Sequence, residues 1–436
     1  MKRLDRSARP RPRPRGGARP APAAAQDAVL DIAEMGARGE GVGVGEDGPV
    51  YVPYALPGER VRARVLGGRA TGTVVETPSA DRVPAPCAHF GRCGGCQLQH
   101  WADAPYLAWK REQVTRALSR RGLDAPVDPI VSAWGEGRRR ATFHAQRAGG
   151  MVLFGFMERG GARIEPVAHC PVLAPALAAA LPHLRSLAQA FAPARGELAI
   201  QCLVTDTGLD VTLKGAGKPA TFDRARLEQA AALAETLDLA RLAFDGETLV
   251  ARRTPVVRIG AASVCPPPGA FLQATAEGER ALGAIVVEAL AGAERIADLF
   301  CGVGTFALRL AAAAEVHGVE GDADMVGALK KAADGVGGLR GVTVERRDLL
   351  RAPLAALEMK RFDAVVFDPP RAGARLQAEQ IGASRASRVA AISCDPATFA
   401  RDVRVLVDAG FRLTRVTPVD QFRWSPHVEV AGVLER

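Results

Sequence analysis

No apolar run in these 436 residues approaches the ~18 that a bilayer-crossing helix requires, so a helical membrane protein is not expected. The N-terminus lacks the apolar stretch of a secretory leader, and the expected compartment is the cytoplasm. Internal repeats are absent. So is any extreme of composition, since 48% of residues are hydrophobic and 24% charged, which excludes a globally disordered chain. Lysine is scarce, with 7 against 50 arginines. Eight cysteines are present, and in a large cytoplasmic chain they point to metal or catalysis before disulfides. At roughly 150 residues per domain the length allows about three domains.

The formal net charge is +9, but residues 1–24 alone hold eight basic residues against Asp5, which leaves +2 for everything else. Their Pro/Arg-rich run cannot bury apolar surface and is expected to be extended and disordered. It reads as a phosphate-grasping arm or as a solvated tail.

Residues 25–80 read as short strands broken by glycine, the pattern of a small OB-type β-barrel. Within them Glu59–Leu66 alternates, with Arg60, Arg62 and Arg64 on one face and Val61, Ala63 and Val65 on the other. The arginine face would meet solvent or phosphate. Residues 81–261 form a central α+β region. It opens with a cysteine cluster and a helix over 105–121, with Lys110, Arg111 and Arg116 expected to face outward; this helix can pack on the next domain. A second helix is expected over 174–192. From 262 onward strand and helix alternate, which implies a parallel sheet with helices on both faces. Strands are expected at 295–299, 315–319, 362–367 and 389–393, and helices at 305–314, 325–333 and 396–406. Such sheets bind ligands outside the carboxyl ends of their strands, where the chemistry-bearing residues of this half fall.

Four constellations carry chemistry. In Asp298-Leu299-Phe300-Cys301-Gly302-Val303-Gly304-Thr305 a strand runs into a glycine turn that exposes bare backbone to a ligand. Glu320, at the end of the next strand, is placed to bond ribose hydroxyls. Asp368-Pro369-Pro370 is common in S-adenosylmethionine (SAM)-dependent methyltransferases; amino-group methylators usually follow it with an aromatic, and here Arg371 follows. Ser393-Cys394-Asp395-Pro396 puts a cysteine where a strand meets a helix, with Asp395 as N-cap. Helix amides there favour a thiolate, while Asp395 opposes it; Cys394 reads as a nucleophile or as a buried cysteine. Finally Cys87, Cys93 and Cys96, with Cys170 as distant partner, suit a 4Fe–4S cluster or tetrahedral zinc. The spacing is not the radical-SAM Cys-x3-Cys-x2-Cys.

Together these motifs, with Phe271-Leu272-Gln273 and the closing His427-Val428-Glu429, resemble the RNA uracil-5-methyltransferases, and among them the RumA-like 23S ribosomal RNA (uracil-5-)-methyltransferases. The resemblance covers nearly everything after the tail. It implies a TRAM-like barrel over 25–80, a 4Fe–4S cluster on Cys87, Cys93, Cys96 and Cys170, and a Rossmann-like SAM-dependent α/β domain over 262–436. It further implies a SAM pocket lined by Gln273, Phe300, Thr305, Glu320, Asp348 and Asp368, with Cys394 as nucleophile and Glu429 as base. Read without the motif, Glu429 is an ordinary exposed strand glutamate. Phe422-Arg423-Trp424-Ser425-Pro426 departs from the commoner version of that segment, as do Asp395 and Thr305 where asparagine is frequent.

The reaction implied is methylation of uracil carbon 5 in RNA, most naturally 23S ribosomal RNA, by a monomer. Transfer RNA is the alternative substrate, although bacterial enzymes of that branch typically lack the barrel and the cysteine cluster. A non-catalytic RNA-binding or chaperone module is the alternative from another class. An iron–sulfur redox protein using a dinucleotide is a third.

Overall fold

The computed structural model describes residues 25–436; the basic segment 1–24 lies outside the described residues. Contacts divide the described residues into two units, one of 25–36 with 41–79, the other of 37–40 and 80–436. Among the described residues no helix is long and apolar enough to cross a membrane.

The first unit is a closed five-stranded barrel in the order Gln26–Met35, Glu40–Gly45, Gly48–Pro53, Arg69–Thr77, Arg60–Leu66. Its core is Leu30, Ile32, Val50, Val52, Val61 and Ala63 with small neighbours. The alternation of Arg60–Leu66 behaves as its pattern dictates, Val61 and Ala63 inward and the three arginines outward. Those arginines are engaged with acids. Arg60 pairs with Asp31 at 3.2 Å, Arg62 with Glu76 at 2.5 Å, and Arg64 approaches Asp27 at 3.9 Å. The barrel's arginine face is therefore a surface ion-pair ladder, not a row of free cations.

The second unit holds two sheets and a short hairpin. The central sheet has seven strands, from Glu247–Ala251 at one edge to Ile164–Pro166 at the other. The single helix expected over 174–192 is two helices, Pro175–Ala179 and Leu181–Phe191. Pro182 has no N–H for the preceding turn, so it serves in the first turn of a new helix instead.

The other sheet has eight strands in the order Val342–Arg346, Glu315–Glu320, Arg295–Leu299, Ala364–Phe367, Arg388–Ser393, Glu429–Glu435, Arg412–Asp420, Val131–Ser132. The first five are parallel, and Glu429–Glu435 runs antiparallel between its two neighbours. The strand order reverses between Arg295–Leu299 and Ala364–Phe367, which opens a crevice at their carboxyl ends. Two pieces come from early in the chain. Val131–Ser132 pairs with Val419 and Asp420, and helix Asp103–Ser119 packs on helix Pro396–Asp408.

Two expectations fail here. The helix expected over 305–314 is a single turn, Ala307–Leu310; before it Gly302 and Gly304 hold the backbone at φ of 55° and 98°, outside the helical region, and turns follow it. Lys110, expected to face outward, is fully buried. It lies four residues from both Tyr106 and Val114, on the face that packs inward.

Candidate active site

The residues expected to hold SAM gather along the carboxyl edge of the eight-stranded sheet. Phe300 follows strand Arg295–Leu299 with φ of 62°, a left-handed conformation that a bulky side chain adopts only when its surroundings enforce it. Beyond it, a Cβ on Gly302 would meet nothing within 4 Å, whereas one on Gly304 would lie 2.5 Å from Leu329. One glycine leaves backbone open to a ligand and the other permits close packing. Glu320 Oε2 accepts from Gly302 N at 3.1 Å, and its Oε1 accepts from Gly321 N and Asp322 N. Asp298 is wholly buried; its Oδ2 accepts from Ala307 N while its Oδ1 has no partner among the described residues. Gln273 donates to Asp368 Oδ2 at 3.2 Å across the switch point. Thr305 follows the glycine turn, and Asp348 sits exposed past strand Val342–Arg346, where it accepts from Leu350 N. An open cradle and a buried carboxylate oxygen without a partner fit a polar ligand such as SAM.

Cys394 and Glu429 are brought together by strand pairing. Ser393, immediately before the cysteine, pairs with Val430, immediately after the glutamate. Asp395 caps helix Pro396–Asp408 by accepting from Ala397 N and Thr398 N at 3.0 and 3.2 Å, with Pro396 in the first turn, as the spacing requires. The electrostatics differ from expectation. Burial, together with the carboxylates of Glu429, Asp368 and Asp395, pushes the Cys394 thiol up to about 11. Acidic neighbours and lost hydration outweigh the helix amides. Glu429, far from being an exposed strand residue, is 4% accessible, and burial with the nearby Asp368 raises its carboxyl to about 8. Asp368 is itself raised to about 7 by burial. Near neutrality both groups therefore hold their protons, and the Glu429 carboxyl gives its proton up well before the Cys394 thiol as pH rises.

Four supporting residues, Gln421, Lys110, Tyr106 and Asp420, have no counterpart in the sequence motifs. Gln421, 1% accessible, donates from Nε2 to Glu429 Oε1 at 3.1 Å and to Gln273 Oε1 at 2.6 Å. Lys110 Nζ and the Tyr106 hydroxyl bind the two oxygens of Asp420, and Trp424 N donates to that hydroxyl. The four-residue spacing of Tyr106, Lys110 and Val114 is a signal that could have placed Lys110 on the inward face, where its charge argued against it; for Gln421 the sequence offers none.

The four cysteines of the cluster also converge. Cys87, Cys93, Cys96 and Cys170 line one cavity of about 210 Å³ with Arg138 and Arg140, and none is in a disulfide. Burial and the mutual repulsion of neighbouring thiolates push Cys170 up to about 12. The Nε atoms of Arg138 and Arg140 are buried without partners among the described residues. His89 is turned aside, its Nδ1 lying 2.9 Å from Glu165. Among the described residues no three His, Cys, Asp or Glu side chains stand close enough to hold a metal ion.

The order of the sheet, with its switch-point crevice and edge residues, defines a class I SAM-dependent methyltransferase fold. The family model of tRNA (Uracil-5-)-methyltransferase matches residues 338–436. Uncharacterized RNA methyltransferases of Brucella suis and Caulobacter vibrioides are each 45% identical, covering 93% of this chain and 97% and 99% of their own. The Vibrio vulnificus 23S rRNA (uracil(1939)-C(5))-methyltransferase RlmD is 29% identical over 93% of this chain and 95% of its own. Among solved structures, the Pyrococcus abyssi tRNA (uracil-54, C5)-methyltransferase in complex with S-adenosyl-L-homocysteine aligns with a TM-score of 0.68. It is 21% identical and covers 93% of this chain and 100% of its own. The chain belongs to the RNA (uracil-5-)-methyltransferase family.

Proposed function

We propose that this protein methylates carbon 5 of uracil in 23S ribosomal RNA through a covalent adduct on Cys394, with Glu429 as the base. The observation that carries the reading is the pairing of Ser393 with Val430, which sets thiol and carboxylate side by side at the sheet's ligand-binding edge. The ribosomal substrate rests on the Vibrio vulnificus relative, which is similar along nearly its whole length.

Uracil carbon 5 is too weak a nucleophile to take a methyl group unaided. The Cys394 thiol gives its proton to solvent and its sulfur bonds to carbon 6; the pi electrons of the carbon 5–carbon 6 bond shift toward carbon 5 and the neighbouring carbonyl oxygen, leaving carbon 5 enolate-like. SAM, in the pocket of Gln273, Phe300, Thr305, Glu320, Asp348 and Asp368, would supply an electrophilic methyl group in line with that carbon. Glu429, ionised, then takes the carbon-5 proton. The electrons of that C–H bond restore the double bond and expel the Cys394 thiolate. The target base must leave its stack to reach the pair.

We infer that Cys87, Cys93, Cys96 and Cys170 hold a 4Fe–4S cluster. Four thiols lining one cavity of about 210 Å³ suit a group held by thiolates, and the guanidiniums of Arg138 and Arg140 beside them suit an anionic one. Methyl transfer moves no net electrons, so the cluster's place is structural or RNA-facing and not redox.

The test is protein purified without oxygen, mixed with methyl-labelled SAM and 5-fluorouridine-substituted 23S fragments or transfer RNA. Fluorine cannot leave as a proton, so the reading requires a labelled adduct on ribosomal RNA that survives denaturing gels and is lost in Cys394→Ala. An adduct on transfer RNA alone would reassign the substrate. No adduct on either would sink the covalent mechanism.

A further inference from the structure

We propose that Gln421 is the positioning residue of the base: it hands one amide hydrogen to Glu429 and the other to Gln273, and so fixes the base to the cosubstrate pocket. The proposal rests on Glu429 being the base.

The geometry leaves the amide one orientation. Gln421 Oε1 accepts from Ala274 N at 2.8 Å and from Thr275 N at 3.4 Å, so its Nε2 must face the other way. There its two hydrogens meet Gln273 Oε1 and Glu429 Oε1. Both donors and both acceptor positions are occupied, and a flip would break all four bonds. Gln273 is oriented in turn: with its oxygen taken, its Nε2 points to Asp368. The backbone of 274–275, Gln421, Gln273 and Asp368 thus form one directional chain, and Glu429 branches from its centre. Packing holds it in place, because a Cβ added at Gly278 would lie 2.8 Å from Gln421 Cβ and Oε1.

The donated hydrogen bond has a chemical consequence. An amide N–H bonds a carboxylate more strongly than the neutral acid, so Gln421 favours the proton-accepting form of Glu429. The groups around Glu429 pull both ways. Burial and Asp368 favour the protonated acid, whereas Arg140, Lys110 and Gln421 favour the carboxylate. Cys394, once a thiolate, would add to the first set. Among these, Gln421 alone also fixes the direction of the carboxylate oxygen, which a distant charge cannot do.

The test compares Gln421→Met, similar in volume with no donor, and Gln421→Glu, isosteric with at most one, against Glu429→Gln and Cys394→Ala. Full-length protein, unmodified 23S fragments and methyl-labelled SAM are used. The proposal requires kcat to fall roughly 10–100-fold in Gln421→Met, the scale of one hydrogen bond to a charged group. The acid limb of the rate profile should move to higher pH, methylated RNA should stay covalently attached on denaturing gels, and SAM affinity should hold within roughly tenfold. Gln421→Glu should shift the limb the same way, and it reads the effect if the methionine variant does not fold. Folded variants that release product with the wild-type pH profile would overturn the proposal. So would loss of SAM binding without any adduct, which would make Gln421 a wall of the pocket. If Glu429→Gln itself releases product at the wild-type rate, the base assignment falls, and that result is separate from either.

Discussion

Lys110 and Asp420 form an ion pair from which water is excluded, Nζ to Oδ1 at 2.5 Å with both side chains wholly buried. The other carboxylate oxygen takes the Tyr106 hydroxyl at 2.7 Å, and Phe422 N adds a bond to the first. The pair ties helix Asp103–Ser119 to the segment leading to Glu429. Breaking one side strands a buried charge, so Lys110→Met should lower unfolding free energy by about 3–5 kcal/mol in denaturant titration. The double variant Lys110→Met/Asp420→Asn should recover most of it. A wild-type midpoint for the single variant would mean the pair holds nothing.

Alkylation of Cys394 should be slow at neutral pH. With its thiol at about 11, the thiolate fraction near pH 7.5 lies far below that of a free cysteine at about 8.5. Mass spectrometry should record a carbamidomethylation rate still climbing above pH 9. Asp368→Asn removes one of the carboxylates that raise the thiol, so it should speed the reaction several-fold at pH 7.5.

In the proposed role Glu429 must be ionised, and with its carboxyl raised to about 8 the protonated form dominates below that value. The single-turnover rate of product release should therefore rise from about pH 7 to 9 and then level. Glu429→Gln should slow release by at least ~100-fold and leave methylated RNA bound to Cys394. A flat profile across this range would dissociate Glu429 from the proton transfer.

Iron and acid-labile sulfide should both be found in protein prepared without oxygen. Serine at 87, 93, 96 or 170 should each lower that content, since all four line the same cavity. Cys265→Ser, outside the cavity, should leave it intact.

The sequence was legible where function depends on local order. A strand ending at Ser393, a cap at Asp395 and a proline in the first turn are neighbours in the chain, and their types state their roles. The edge residues 300, 320 and 368 follow from strand ends in the same way. What escaped reading depends on partners far apart in sequence. Lys110 and Asp420 are separated by 310 positions, Gln273 and Gln421 by 148. The burial of Glu429 depends on strands Arg388–Ser393 and Arg412–Asp420 flanking its own, which no local pattern reveals. The expectation of a depressed Cys394 pKa weighed helix amides and Asp395 but not the carboxylates that folding brings in.

The carbonyl of Trp424 accepts from Gln97 N at 2.8 Å and from Leu98 N at 3.0 Å, and Trp424 itself holds φ of 60°. Gln97 and Leu98 directly follow Cys96, and Trp424 precedes Glu429 by five residues. The loop that gathers thiols and the loop that leads to Glu429 therefore share one splice. Each loop is thus a wall for the other, so protein in which the cysteine loop is displaced should keep its sheet while the segment leading to Glu429 loses its seat.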